Sequence, residues 1–185
     1  MTGSPQPIAA FFDIDNTMMR GASIYHLARG LFGKGVLTAA DLASYALAQG
    51  KLLTTASESQ RDLARISANA LAFARGRSSD EMVALCTEVY DDVLADRVWP
   101  GTVDLAEWHL ERGHAVWLVS AAPIELAGII ADRLGLAGAI ATRSEIVDGF
   151  YTGRLATAPM HGPEKAQAVR TLAAERGFDL AASYA

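Results

Sequence analysis

The stretch "IAAFFDIDNTMMR", residues 8–20, makes two demands that pull against each other. Residues 8–12 form an unbroken apolar run, with no polar residue on either alternate face. Such a run suits a strand covered on both sides, as in a parallel sheet. The chain then drives into Asp13 and Asp15, one residue apart, followed by Asn16 and Thr17. In a strand, residues two apart point to the same side. If the chain turns instead, both carboxylates still sit at the strand's carboxyl end, where open α/β sheets bind ligands. Two neighbouring carboxylates repel, which favours protonation of one or a cation between them. A general acid beside an anion and a divalent-metal site are both open readings. So is a plain polar loop in which Asp or Asn caps the next turn.

The same alternation continues after residue 98. "HAVWLVS" at 114–120 reads as a second buried strand, and "GAIAT" at 138–142 and "AASYA" at 181–185 as weaker ones. Between them, "PIELAGIIADRLG" reads as a helix with Pro123 at its first position and a stop at Gly135. "GPEKAQAVRTLAAERG" opens at Pro163 and stops at Gly177. The phrase "ERG" ends a helix before an apolar run twice, at 111–113 and 175–177. The pattern predicts an α/β, doubly wound, Rossmann-like parallel sheet.

Residues 21–98 show no convincing strand. Ile24, Leu27, Ala28, Leu31 and Phe32 keep helical spacing, Thr38 and Asp41 suit a capped start, and residues 58–75 read as another helix. Ser78 and Glu81 form a capping box ahead of an apolar face of Met82, Leu85, Cys86, Val89, Tyr90, Val93 and Leu94. The expected layout is a core of residues 1–20 and 99–185 with a helical insert at 21–98. Within residues 144–157, Asp148-Gly149 signals a tight turn, hence a small β-hairpin protruding from the core.

The 185 residues are 51% hydrophobic and 20% charged, which suits a folded globular chain. Sixteen basic against twenty-one acidic residues give −5, which speaks against nucleic acid and for a small-molecule or protein partner. Cys86 is the single cysteine, so no internal disulfide forms; its place on an apolar stripe suits a buried thiol. There is no basic start followed by an apolar run, and no stretch long enough to span a membrane. A soluble, cytoplasmic chain with a loose tail at residues 1–7 is expected.

Three further residues add chemistry. Ser120 ends a buried strand just ahead of a helix, where a hydroxyl and free N–H groups can hold an anion or simply cap the helix. Lys165 stands in the first turn of a helix, where the dipole disfavours a cation unless an anion is near. His161 precedes it in a loop. A nucleophile, an acid, a metal ion and positive groups are what phosphoryl transfer needs.

At these residues a resemblance becomes specific. "DIDNT" at 13–17 resembles the DxDxT motif of the haloacid dehalogenase-like hydrolases. "VWLVSAAP" is similar to their second motif, "GPEKAQAV" to their third, and "DGFYTG" to a hairpin of the phosphoserine-phosphatase-like branch. The resemblance implies a Mg²⁺-dependent phosphatase acting on a small phosphomonoester. Asp13 would be the nucleophile and Asp15 the acid and base, with Mg²⁺ held by the Asp13 carboxylate and the Asp15 backbone carbonyl. Thr17, Ser120, Ala121 and Lys165 would serve the phosphoryl group, and residues 21–98 would form a helical cap. Arg20, His26 and Arg29 are the candidate substrate contacts near the cap's start, with His161 a further one.

The sequence departs from the branch at two points. Ala22 stands where phosphoserine phosphatases carry Glu, which argues against phosphoserine as substrate. The acidic fourth motif is absent, and Ala185 falls inside an expected strand, so the natural chain is expected to continue. Transfer to another acceptor, or binding of a phosphometabolite without turnover, would use the same residues.

Overall fold

The computed structural model describes residues 6–43 and 68–185. Three parallel strands form the central sheet: β1 (Ala9–Phe12), β2 (Ala115–Pro123) and β3 (Gly138–Thr142), in the order β1-β2-β3. The register runs from Ala9 opposite Ala115 to Phe12 opposite Leu118. All four residues of β1 are buried. Ala10 and Phe12 face one apolar cluster, with Val116 and Leu118 of β2. Ala9 and Phe11 face a second cluster, with Val119. This two-residue alternation into two cores is why the run carries no polar face.

Helices cover both faces. The larger cluster takes α3 (Pro100–Glu111) and α4 (Ile124–Arg133) through Ala106, Leu126 and Ile130. The smaller takes α5 (Pro163–Arg176) through Val169 and Leu172. Pro163 starts α5 as the sequence predicts, and Gly177 ends it in the left-handed conformation, with φ 71°. Pro123 differs from its expected place. It is the last residue of β2 and precedes α4, because the β2–β3 ladder shifts register between Ser120 and Pro123.

The expected strand at 181–185 reduces to one residue. Tyr184 bridges Ala10 in parallel, with Phe11 N–H donating to the Tyr184 carbonyl and Tyr184 N–H to the Ala9 carbonyl, both at 2.9 Å. The preceding residues turn instead, because Asp179 Oδ1 accepts the N–H groups of Ala181 (2.9 Å) and Ala182 (3.3 Å).

Within the insert, α1 (Ser23–Gly33) and α2 (Ser79–Val89) are the longer described helices. A π-helical turn, Tyr90–Leu94, and a 3-10 turn, Ala95–Arg97, carry the chain to α3. Residues 39–43 and 68–74 are also helical. Thr38 and Asp41 exchange N–H bonds of 2.9 and 3.2 Å with each other's side chains, the expected cap. The continuation of that helix, and residues 58–67 of the next, lie outside the described residues. Ser78 Oγ accepts the Glu81 N–H at 3.1 Å, while the Glu81 carboxylate turns to Arg77 at 2.6 Å.

The buried face of α1 is rotated from its predicted one. Phe32 is exposed, whereas Ser23, His26 and Gly30 are buried with Leu27 and Leu31. Gly30 permits this: a Cβ there would collide with both γ-methyls of Val89, so glycine admits the close approach. Leu27, Leu31, Met82, Cys86, Val89 and Leu94 share one apolar cluster with Phe12 and Leu118 of the sheet and Ile130 of α4. The two ends of the insert also pair. Met19 bridges Val98, Arg20 N–H donates to the Arg97 carbonyl at 2.8 Å, and Trp99 N–H to the Met18 carbonyl at 2.9 Å.

The hairpin is present as β4 (Ser144–Val147) and β5 (Phe150–Leu155). Asp148 (φ 51°) and Gly149 (φ 83°) supply the two positive φ angles that a tight hairpin turn needs. Rather than protruding alone, it joins the insert to the core. Gly76 N–H donates to the Tyr151 carbonyl (2.9 Å), Tyr151 N–H to the Arg77 carbonyl (3.0 Å), and the Tyr151 hydroxyl to Glu125 Oε1 of α4 (2.8 Å). Among the described residues, no helix is long and apolar enough to cross a membrane.

Candidate active site

After Phe12 the chain does not stay extended. The Ile14 side chain is fully buried between Asp13 and Asp15, and its carbonyl accepts N–H bonds from Thr17 (3.3 Å), Met18 (3.0 Å) and Met19 (2.9 Å). Asn16 sits at φ 55° and closes the loop by accepting the Gly21 N–H on Oδ1 at 3.0 Å. Asparagine tolerates this conformation better than most residues. The loop thus presents both carboxylates at the carboxyl end of β1.

The two acids have different surroundings. Asp13 Oδ2 pairs with Lys165 Nζ at 2.7 Å, and Oδ1 accepts the Ile14 N–H at 2.7 Å. Asp15 Oδ1 accepts the Ser23 N–H at 2.8 Å, at the start of α1. Burial pushes the Asp15 carboxyl above the ordinary range. Ser23 hydrogen bonding and Lys165 pull it down, and the Asp13 charge adds to the rise. The Ser23 amide makes the bond to Asp15; its buried hydroxyl makes none. The sequence pointed to carboxylate repulsion, but loss of water is the larger cause. Asp15 is therefore suited to hold a proton beside an ion-paired Asp13.

Ser120 and Lys165 reach the same edge by different routes. Phe12 lies opposite Leu118, so Asp13 and Ser120 both follow closely on that paired level. Ser120 is buried and accepts the Ala122 N–H on Oγ at 3.1 Å, which leaves its hydroxyl proton to donate. Ala121 is exposed and sits within the ladder shift. Lys165 stands in the first turn of α5, and its contact with Asp13 explains a cation at the helix's positive end.

The other expected residues make the following contacts. Thr17 is exposed and lines an open groove with Asn16, Trp99, Gly101 and Thr102. Its carbonyl accepts the Thr102 hydroxyl at 2.8 Å. The Arg20 guanidinium stacks 4.3 Å from the centre of the Trp99 ring. His26, expected as a substrate contact, is buried; its Nε2 lies 3.0 Å from the Arg20 carbonyl, to which it donates in the neutral tautomer. Burial pushes its pKa down, and its bond to the Arg20 carbonyl braces the loop. Arg29 is exposed on α1. His161 is half-buried in the loop ahead of α5, and its carbonyl accepts the Glu164 N–H at 3.2 Å. Sequence reasoning missed Ser23 and Thr102, whose bonds to the motif loop depend on folding and leave no spacing signal.

The donor set fits a hard divalent cation. Mg²⁺ is commonly held by one or two carboxylates, with water and substrate phosphate filling the other positions. The Asp13 carboxylate and the Asp15 backbone carbonyl are such oxygens, and a divalent charge would also offset the repulsion between the two side chains. Among the described residues, no group of three or more His, Cys, Asp or Glu side chains gathers to hold a metal.

A haloacid dehalogenase-like hydrolase family model matches residues 10–185. The chain is 46% identical over 181 residues to a putative hydrolase of Mycobacterium leprae (strain TN), covering 95% of this chain and 60% of that protein. It is 47% identical over 172 residues to a Mycobacterium tuberculosis (strain ATCC 25618 / H37Rv) protein named phosphoserine phosphatase SerB1, covering 93% of this chain and 56% of that one. The chain thus spans less than two thirds of either relative's length. A solved protein of unknown function from Bordetella pertussis Tohama I superposes with TM-score 0.80 at 25% identity, over 97% of this chain and 79% of that one. A phospho-aspartyl intermediate analogue of phosphoserine phosphatase superposes with TM-score 0.63 at 17% identity, over 97% and 77%, a likeness of fold. The chain belongs to the haloacid dehalogenase-like hydrolase family.

Proposed function

We propose that the protein is a Mg²⁺-dependent phosphomonoester phosphatase that works through an aspartyl-phosphate on Asp13. The carrying observation is the 2.7 Å pair of Lys165 with Asp13, beside an Asp15 carboxyl that burial pushes up. Asp13 attacks phosphorus, and the bond to the leaving oxygen breaks. Asp15 gives that oxygen its proton, then takes one from the water that attacks the acyl phosphate. Phosphate leaves, and both carboxyl groups return to their starting states. Lys165, the Ser120 hydroxyl and the Ala121 N–H hold the phosphoryl oxygens through both steps. The Asp13 carboxylate and the Asp15 backbone carbonyl would hold Mg²⁺, which would neutralise phosphoryl charge when bound.

Residues 21–98 act as a cap that excludes water and selects the substrate. The pairing of residues 18–20 with 97–99 supports this, since it draws both ends of the insert together beside the motif loop. Phosphate release from a panel of phosphomonoesters should require Mg²⁺ and fall to background in Asp13→Asn. Undiminished release in that variant would overturn Asp13 as nucleophile. Phosphoserine belongs in the panel because a relative carries that name, and Ala22 predicts that other esters outperform it.

A further inference from the structure

The β2–β3 ladder pairs Ser120 with Ala141 and then Pro123 with Thr142, so Ala121 and Ala122 are surplus residues that bow out of the sheet. The peptide between them is clamped at both ends. Its N–H, on Ala122, donates to Ser120 Oγ at 3.1 Å. Its carbonyl, on Ala121, accepts the Thr142 hydroxyl at 2.9 Å. The same Thr142 oxygen accepts the Met160 N–H at 3.1 Å. A hydroxyl has one proton to give and two lone pairs to receive, so both bonds form at once.

Met160 stands just ahead of His161 and Gly162, whose φ of 55° turns the chain into Pro163 and the first turn of α5. Lys165 projects from that turn to Asp13. One side-chain oxygen therefore ties the loop of Ser120 and Ala121 to the loop of Lys165. These loops come from separate crossovers of the chain and otherwise share no sequence neighbour.

We infer that Thr142 is a positioning residue, whose hydroxyl sets the distance from the Ser120 hydroxyl and the Ala121 N–H to Lys165 so that all three meet one phosphoryl group. This rests on the phosphatase reading above. Thr142 touches neither substrate nor metal and acts only through the two loops. Misplacing either set of donors weakens the hold on phosphate and slows transfer, because both depend on geometry more than on contact number.

Thr142→Val keeps the side-chain shape and removes both hydrogen bonds; Thr142→Ser keeps the oxygen and removes the methyl. In the intact protein, T142V should lower kcat/KM for p-nitrophenyl phosphate by on the order of tenfold and weaken inorganic phosphate binding by a similar factor. T142S should recover most of both losses. Exchange of the Met160 amide with deuterium should quicken in T142V and stay slow in T142S, while both variants unfold cooperatively. Wild-type phosphate affinity and wild-type kcat/KM in T142V would overturn the inference, as would equal losses in both variants. The wild-type protein tests the phosphatase reading separately. If it binds phosphate but releases none from any ester, that reading fails, and the phosphate affinities still decide the role of Thr142.

Discussion

The two ends of the parallel sheet both bury ionisable groups, yet they treat them in opposite ways. At the carboxyl end, Asp15 is pushed up by burial and Asp13 keeps an exposed side toward Lys165. At the amino end, His109 and His114 face each other Nδ1 to Nδ1 at 2.9 Å, ahead of the first residue of β2. One Nδ1 donates and the other accepts, so these two nitrogens satisfy each other. Trp108 and Tyr184 pack around them, with Tyr184 stacked at 20° on His114 and its centroid 5.7 Å away. Burial pushes His109 down, with His114 and Arg112 adding to the effect. The difference teaches that a perturbed pKa by itself does not mark a site. What separates the ends is the partner each group meets: the histidine Nδ1 atoms meet each other, while Asp13 meets the Lys165 ammonium.

The sharpest way to break the comparison is at Asp15. In Asp15→Asn, kcat for phosphate release should fall by roughly 10² to 10⁴, the usual worth of a positioned acid and base. Stability should move the other way. The folded protein holds the Asp15 proton at pH values where the unfolded chain, near the ordinary value of 3.8, has released it. This stabilising contribution is fully present below that value and is lost as pH rises through the raised one. The uncharged amide carries no such penalty and can still accept the Ser23 N–H. The variant should therefore melt higher than the parent at neutral pH in metal-free buffer. A lower melting point would mean that the buried charge is better solvated than its surroundings indicate.

How much of this was legible in the sequence depends on how local each signal was. The β1 run, the Pro163 and Gly177 boundaries of α5 and the Asp148-Gly149 turn all rest on neighbours in sequence, and they appear as read. The rotation of α1 was hidden because it depends on Val89 reaching Gly30 across nearly sixty residues of insert. With that rotation, His26 passed from an expected substrate contact to a buried brace. The ladder shift at Ala121 was hidden as well, since strand pairing alone reveals two surplus residues. Asp13, Ser120 and Lys165 were legible as a set because a doubly wound sheet brings the ends of its strands to one edge whatever lies between them. Thr142 was not, because a hydroxyl at a strand end has many uses that leave no mark on spacing.

The mildest test lies at the amino end. His109→Asn keeps a polar atom near the position of Nδ1 and removes the titrating ring. In the parent, His109 resists protonation when folded and takes a proton freely when unfolded. The stability it contributes is whole above the ordinary histidine value of 6.5 and is lost as pH falls toward the depressed folded value. Urea midpoints taken from pH 8 down to pH 5 should therefore fall less steeply in the variant. Some slope should persist, because burial also holds His26 down. Phosphate release at neutral pH should be unchanged, since the pair lies at the end of the sheet away from Asp13. An unaltered slope would show that the acid sensitivity arises elsewhere. A loss of phosphate release would show that the two ends are coupled through β1, and that the division between them drawn from their geometry is too clean.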